Sequence, residues 1–163
     1  MKNGLLIKSL GLTAGILAAF AGTAQAASIY VETIPASMPV AQKEVRAALT
    51  HHHFKVVMNI DILRKIDAKQ KMLHIPNFNK PGYSDVRALV FCNPFLFSGL
   101  LNGDSKTASV CPLNLTLYSK GKVTTVAYAE RSAYTKGTGA QAVGEKIDHM
   151  VIGSLKSIPG SHS

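Results

Sequence analysis

The sequence predicts a single α+β domain, with five strands in a mixed sheet and helices mostly on one face. Three observations carry that expectation. Several short stretches alternate apolar and polar residues at a period of two, others repeat apolar residues at helical spacing, and the two kinds interleave along the chain. The order reads β-α-β-α-β-α-β-β-α.

From Ser28 to Ile34, residues Ile29, Val31 and Thr33 alternate with Tyr30 and Glu32, as in a half-buried strand. Ser37 suits a helix cap with Pro39 in the first turn, and Ala41, Val45, Ala48 and Leu49 form a helical stripe ending near His51. The short apolar run from Phe54 to Ile60 reads as a second strand, after which Asp61 caps a short helix toward Lys69. A loop rich in proline and asparagine, Ile75 to Gly82, leads into Val86 to Phe91. That run is almost wholly apolar, which predicts a central strand covered on both faces.

Asn93 is a good helix cap, Pro94 suits the first helical position, and Asn102-Gly103 supplies a stop after Phe95-Leu96-Phe97 and Leu100-Leu101. Leu113, Leu115 and Leu117 then alternate with Asn114, Thr116 and Tyr118. Ser119-Lys120-Gly121-Lys122 turns this strand into Val123 to Tyr128, a hairpin with one buried face. In the last helix Val143, Ile147, Met150, Val151 and Ser154 share a face, with Leu155 beside them, and this face must pack on the sheet.

The N-terminus bears on location. Lys2 and Lys8 accompany an apolar run from Leu10 to Ala21 that ends in Thr23-Ala24-Gln25-Ala26, the pattern of a secretory signal with an Ala-x-Ala cleavage site. The run is shorter than the roughly 20 apolar residues a membrane span needs, and Gly11, Thr13 and Gly15 weaken it further. Residues 1–26 are thus expected to be a leader, 27–158 the domain and 159–163 a frayed tail. Cleavage before Ala27 places the domain in a bacterial periplasm or outside the cell, with no membrane span left. The absence of a cysteine after the cleavage site argues against lipid attachment.

Loss of the leader leaves 137 of 163 residues, enough for one core, with 16 basic residues against 9 acidic and a formal charge of +7. The lysines are scattered, and export removes the chain from nucleic acid, so no nucleic-acid partner is expected. Arg64, Lys65, Lys69 and Lys71 are interrupted by Asp67 and read as a solvated helix face.

Cys92 and Cys111 are the residues where chemistry is sought first. Each lies in a proline-marked turn, Cys92-Asn93-Pro94 and Cys111-Pro112-Leu113-Asn114. Nineteen positions separate them, and a disulfide there stabilises the fold by about 3 kcal/mol on the chain-entropy model. Two buried small apolar side chains are the alternative. A catalytic thiol is a sharper reading, since Cys92 precedes a helix N-terminus, where a thiol pKa falls. Neither cysteine, however, belongs to a Cys-x-x-Cys pair or has a histidine placed beside it by sequence.

His51-His52-His53 suggests a metal site, but three consecutive side chains on a helix point about 100° apart, which favours a polar helix terminus. No metal ligands are therefore assigned. Lys136-Gly137-Thr138-Gly139 lacks the order of a phosphate-binding loop and reads as a flexible connection. His149, beside Asp148, is expected at the surface.

The element order, together with Tyr30-Val31-Glu32-Thr33, Cys92-Asn93-Pro94, Pro112, Asn114 and Tyr118-Ser119-Lys120-Gly121-Lys122, resembles the domain of unknown function 302 family across Ser28 to Ile158. The resemblance implies a compact α+β domain that self-associates, and it implies no established reaction, cofactor or substrate. Many members resemble Leu-Pro-Cys-Asn at the second turn. This chain has Leu113 at that place and its thiol two residues earlier, a displacement of roughly 6 to 7 Å along a strand.

The functional expectation is an exported, non-enzymatic binding or accessory domain that self-associates as a homodimer, with binding residues Cys92, Asn93, Pro94, Cys111 and Asn114. Two alternatives stand beside it. One is a thiol-redox protein using Cys92 and Cys111; the other binds metal or haem through His51 to His53 with a cysteine. The cofactor and small-molecule ligand are unknown from sequence.

Overall fold

The computed structural model describes residues 28–163, so the leader assigned to residues 1–26 lies outside the described residues. Five strands form one sheet: β1 (Ile29–Ile34), β2 (Lys55–Asp61), β3 (Asp85–Cys92), β4 (Leu113–Lys120) and β5 (Val123–Ala129). Their spatial order is β1-β5-β4-β3-β2. Every neighbouring pair is antiparallel, which corrects the expected mixed sheet. The physical reason lies in the first crossover. Strands β1 and β2 run in the same direction, but they occupy opposite edges, and three strands of alternating direction separate them.

Four principal helices appear where expected: α1 (Met38–His51), α2 (Ile62–Asp67), α4 (Pro94–Gly103) and α6 (Gln141–Lys156). The structure adds two single-turn helices, α3 (Gln70–Leu73) and α5 (Ser132–Thr135), and a 3-10 turn at Ser105–Val110. The expected order therefore omits short elements, whose four to six residues leave no readable periodicity. No helix among the described residues is long and apolar enough to cross a membrane.

Helices α1 and α6 cover one face of the sheet and pack on each other. The α1 stripe buries Met38, Ala41, Val45 and Leu49, while α6 contributes Ile147, Val151 and Leu155. Opposite them stand Leu89 and Phe91 of β3, Leu113, Leu115 and Leu117 of β4, and Val126 and Tyr128 of β5. The period of two in the strands and the helical stripes thus meet in one core. Close backbone contact seats the start of α6. A Cβ on Gly139 would collide with the Gly103 carbonyl oxygen at the end of α4. The expected flexible connection over Lys136–Gly139 is accordingly a packed turn, in which Gly137 N–H donates to Gln141 and Thr138 Oγ1 donates to the Thr135 carbonyl.

Strand β1 reverses the ordinary pattern. Glu32 and Ile34 face the core, whereas Ile29 and Val31 are exposed. Tyr30 donates its hydroxyl to Glu32 on that inner face, giving the buried carboxylate a partner. Burial and Glu32 together push the Tyr30 phenol up to about 12. Val86, Ala88 and Val90 of β3 are only half-buried. The expected central strand is an interior one, second from the β2 edge with β4 at the centre, and its outward residues stay half-buried rather than covered on both faces. The C-terminal residues also differ from a frayed tail, because Thr33 and His162 exchange backbone hydrogen bonds of 2.8 and 3.0 Å along the free edge of β1.

Candidate functional site

The proline-marked turns arrive at the same end of the sheet. Phe91 pairs with Leu113 in the β3–β4 ladder, so Cys92 leaves the last pair beside the segment that carries Cys111 and the cis-linked Pro112. On its other side Cys92 pairs with Lys55. Both thiols are free and partly buried. Burial pushes the Cys111 thiol up to about 11, and the neighbouring Cys92 thiol adds to the shift, while Arg131 opposes it. Displacement of the second cysteine from the place the family resemblance suggests has not separated the pair.

Asn93 and Pro94 shape the start of α4. The Asn93 side chain accepts hydrogen bonds from Phe95 N–H at 3.0 Å and Leu96 N–H at 3.2 Å. Its amide donates to the His53 carbonyl at 3.2 Å, tying the entry of β2 to the α4 terminus. Pro94 has no N–H to satisfy. The first donors of this helix are thus occupied by Asn93 rather than offered to a ligand.

Asn114 joins a cluster that sequence reasoning missed. Its Oδ1 accepts from Arg131 Nη2 at 2.6 Å. Arg131 is only 7% exposed, and its guanidinium stands 5.5 Å from the centre of the Tyr128 ring. The Tyr128 hydroxyl donates to Asp148 Oδ1 at 2.7 Å, and the same carboxylate accepts from the backbone N–H groups of Arg131 and Ser132 at 2.7 and 2.8 Å. Burial and the Asp148 charge hold the Tyr128 phenol protonated far above its ordinary value. Tyr128 therefore meets the Arg131 guanidinium near its ring and the Asp148 carboxylate at its hydroxyl, with Asp148 well supplied with donors.

One sequence signal could have found this cluster. Gly144, Ile147, Asp148, Val151 and Leu155 lie on the buried side of α6, so Asp148 is an acid inside an apolar stripe. Such an acid requires buried partners. No comparable signal marks Arg131, which follows β5 in an irregular segment. Its Nε is, among the described residues, the sole buried side-chain nitrogen or oxygen lacking a hydrogen-bond partner. No carboxylate stands within ion-pair distance of it among those residues.

The histidines remain apart from the thiols as a ligand set. His51 and His52 stack edge to face at 5.5 Å, and His53 takes a left-handed conformation with φ 64°. No group of three or more histidine, cysteine or acidic residues is arranged to hold a metal among the described residues. His149 is exposed, whereas its neighbour Asp148 is buried.

Comparison with known proteins gives a fold and a family without an activity. A crystal structure of an uncharacterized conserved protein DUF302 from Bacillus stearothermophilus is similar, with a TM-score of 0.68 and 15% identity. The match covers 80% of this chain and 97% of that one. At this identity the likeness shows the shared α+β fold. No functionally curated protein matches the chain. The family model described as domain of unknown function DUF302 matches residues 30–156, most of the sequence. The two cysteine turns, the final helix and all but the first residue of the five-stranded sheet fall within that match, and the chain belongs to the DUF302 family.

Proposed function

We propose that this is an exported, periplasmic binding or accessory domain rather than an enzyme, with its ligand held at the sheet end that carries Cys92, Cys111 and Asn114. The observation that carries the reading is the meeting of two half-buried thiols at one sheet end, beside the Asn114–Arg131 hydrogen bond, where burial raises the Cys111 thiol to about 11. A thiol raised in this way is a weaker nucleophile, which argues against Cys111 as an attacking group. Asn93 and Pro94 support the site by fixing the α4 terminus. The leader pattern from Lys2 to Ala26 supports export.

Self-association as a homodimer belongs to the same proposal. The sheet face turned away from the helices carries Val31, Ala127, Thr116, Ala88 and Ile60 across five paired strands. These side chains are small or apolar, and Val31 is 40% exposed. A second copy laid on this face would cover them in the way that sheets pack on one another.

The adjacency of Cys92 and Cys111 favours a second reading, a disulfide formed in an oxidising compartment or used in thiol exchange. Two measurements separate the readings. Protein expressed from residue 1 and recovered from the compartment it reaches is tested for turnover of a disulfide and of a peroxide, and its free thiols are titrated. No turnover with two titratable thiols is the expected result. Turnover that a Cys92→Ser variant lacks would overturn the binding reading.

A further inference from the structure

The reduced cysteine pair has three properties that together define a ligand class. First, two thiols meet where β3 and β4 leave their ladder: Cys92 follows the Phe91–Leu113 pair, Cys111 precedes it, and the two side chains are close enough to hydrogen-bond. Second, no third histidine, cysteine or acidic side chain completes a metal cluster among the described residues. Four-ligand ions such as zinc are therefore poorly served, whereas two thiolates suffice for a soft monovalent d10 ion, which accepts two ligands in a line.

The third property is a buried donor beside the sulfurs. Asn114 pairs with Val90, and Cys92 is the next residue on the Val90 face of the sheet. The Arg131 guanidinium, fixed to Asn114 by Nη2, lies near enough to Cys111 for its charge to act on that thiol, and its Nε–H is buried without a hydrogen-bond partner among the described residues. A disulfide is neutral and gives that donor little to bind. A thiolate pair holding a monovalent cation bears one net negative charge, much of it on sulfur, which suits a guanidinium without a carboxylate within ion-pair distance.

We propose that Cys92 and Cys111 bind a soft monovalent metal ion, of the Cu(I) class, between their two sulfurs, with Arg131 as the counter-charge. Each thiol loses its proton as its sulfur–metal bond forms. One cation and two neutral thiols thus give a two-coordinate anion and two protons, without any change of oxidation state. The proposal rests on the reading of this sheet end as a binding site and names the ligand class for it.

The test uses protein expressed from residue 1, recovered from the compartment it reaches and kept reduced without oxygen. It is titrated against the coloured complex of Cu(I) with bicinchoninate. Transfer of one equivalent to the wild type is expected, with loss of transfer in Cys92→Ser and in Cys111→Ser. Arg131→Lys, which keeps a charge but removes Nε, is expected to weaken binding about tenfold. Far-UV circular dichroism checks that each variant is folded.

Failure of the reduced wild type to take Cu(I), or equal transfer to both serine variants, overturns the proposal. Equal affinity in a folded Arg131→Lys variant overturns the role given to the guanidinium. A disulfide closed in all molecules recovered without reductant overturns the reduced site as the working state. Absence of Cu(I) transfer without any turnover removes the ion alone, whereas turnover dependent on Cys92 removes the underlying binding reading.

Discussion

Tyr128 donates its hydroxyl to Asp148 across 2.7 Å, joining the end of β5 to the middle of α6. Asp148 also takes the backbone N–H groups of Arg131 and Ser132, so one carboxylate fixes the chain as it leaves the sheet. That anchoring sets the position from which Arg131 reaches Asn114.

Replacing Asp148 by Ala should therefore destabilise the fold by about 3 to 5 kcal/mol, the usual cost of removing one member of a buried charge arrangement. Tyr128→Phe removes one hydrogen bond and keeps the ring against Arg131, and should cost about 1.5 to 3 kcal/mol. Urea unfolding of both variants checks the order. A larger loss for Tyr128→Phe would show that the tyrosine, rather than the carboxylate, organises the cluster.

Asn93 has two separable roles. Asn93→Ala removes both the α4 cap and the bond to the His53 carbonyl, and should lower stability by about 1 to 2 kcal/mol. Asn93→Asp keeps the accepting oxygen and places a negative charge at a helix start, so thermal unfolding should show a smaller loss. Equal losses in the two variants would mean that the His53 bond dominates.

Two glycines, one inside α6 and one just before it, predict opposite signs. Gly153 lies inside α6 with open space where a Cβ would stand, so Gly153→Ala should stabilise by about 0.5 to 1 kcal/mol. Gly139→Ala drives a Cβ into the Gly103 carbonyl oxygen and should destabilise. Chemical denaturation of the pair reads the sign directly.

A dimer formed through the open sheet face should be sensitive to charge at its centre. Ala127 pairs with Val31 on one side and Thr116 on the other. Ala127→Lys should shift the sedimenting species from dimer to monomer with little change in circular dichroism. A wild type that sediments as a monomer at high concentration would sink the homodimer.

Much of the fold was legible because the relevant signals are local. The α1 stripe Ala41, Val45 and Leu49, the β4 alternation Leu113, Leu115 and Leu117, and the Asn93-Pro94 helix start each state their structure within a few residues. Strand β1 was misleading in detail because Ile29 and Val31 are the exposed members and Glu32 the buried one. Which face turns inward depends on the partners β1 meets, and Tyr30 makes the buried acid tolerable.

Strand pairing was not legible for the same reason. A β-α-β stretch is compatible with parallel neighbours or with strands at opposite edges, and only the insertion of β3, β4 and β5 between them made the sheet antiparallel throughout. The site was legible in part. The cysteine turns name themselves, whereas Arg131 and Tyr128 enter through contacts spanning 17 and 20 positions of sequence.

The sequence by itself determined the α+β class, the sites of the main helices and strands, and the family through its cysteine turns. Only the tertiary structure decided that Cys92 and Cys111 share one end of the sheet, that Asp148 is interior and that Arg131 is held at Asn114. Local periodicity reports which side of an element is apolar. The chemistry around a thiol depends on residues brought in by other strands and helices, and those meetings are set by the packing of the whole core.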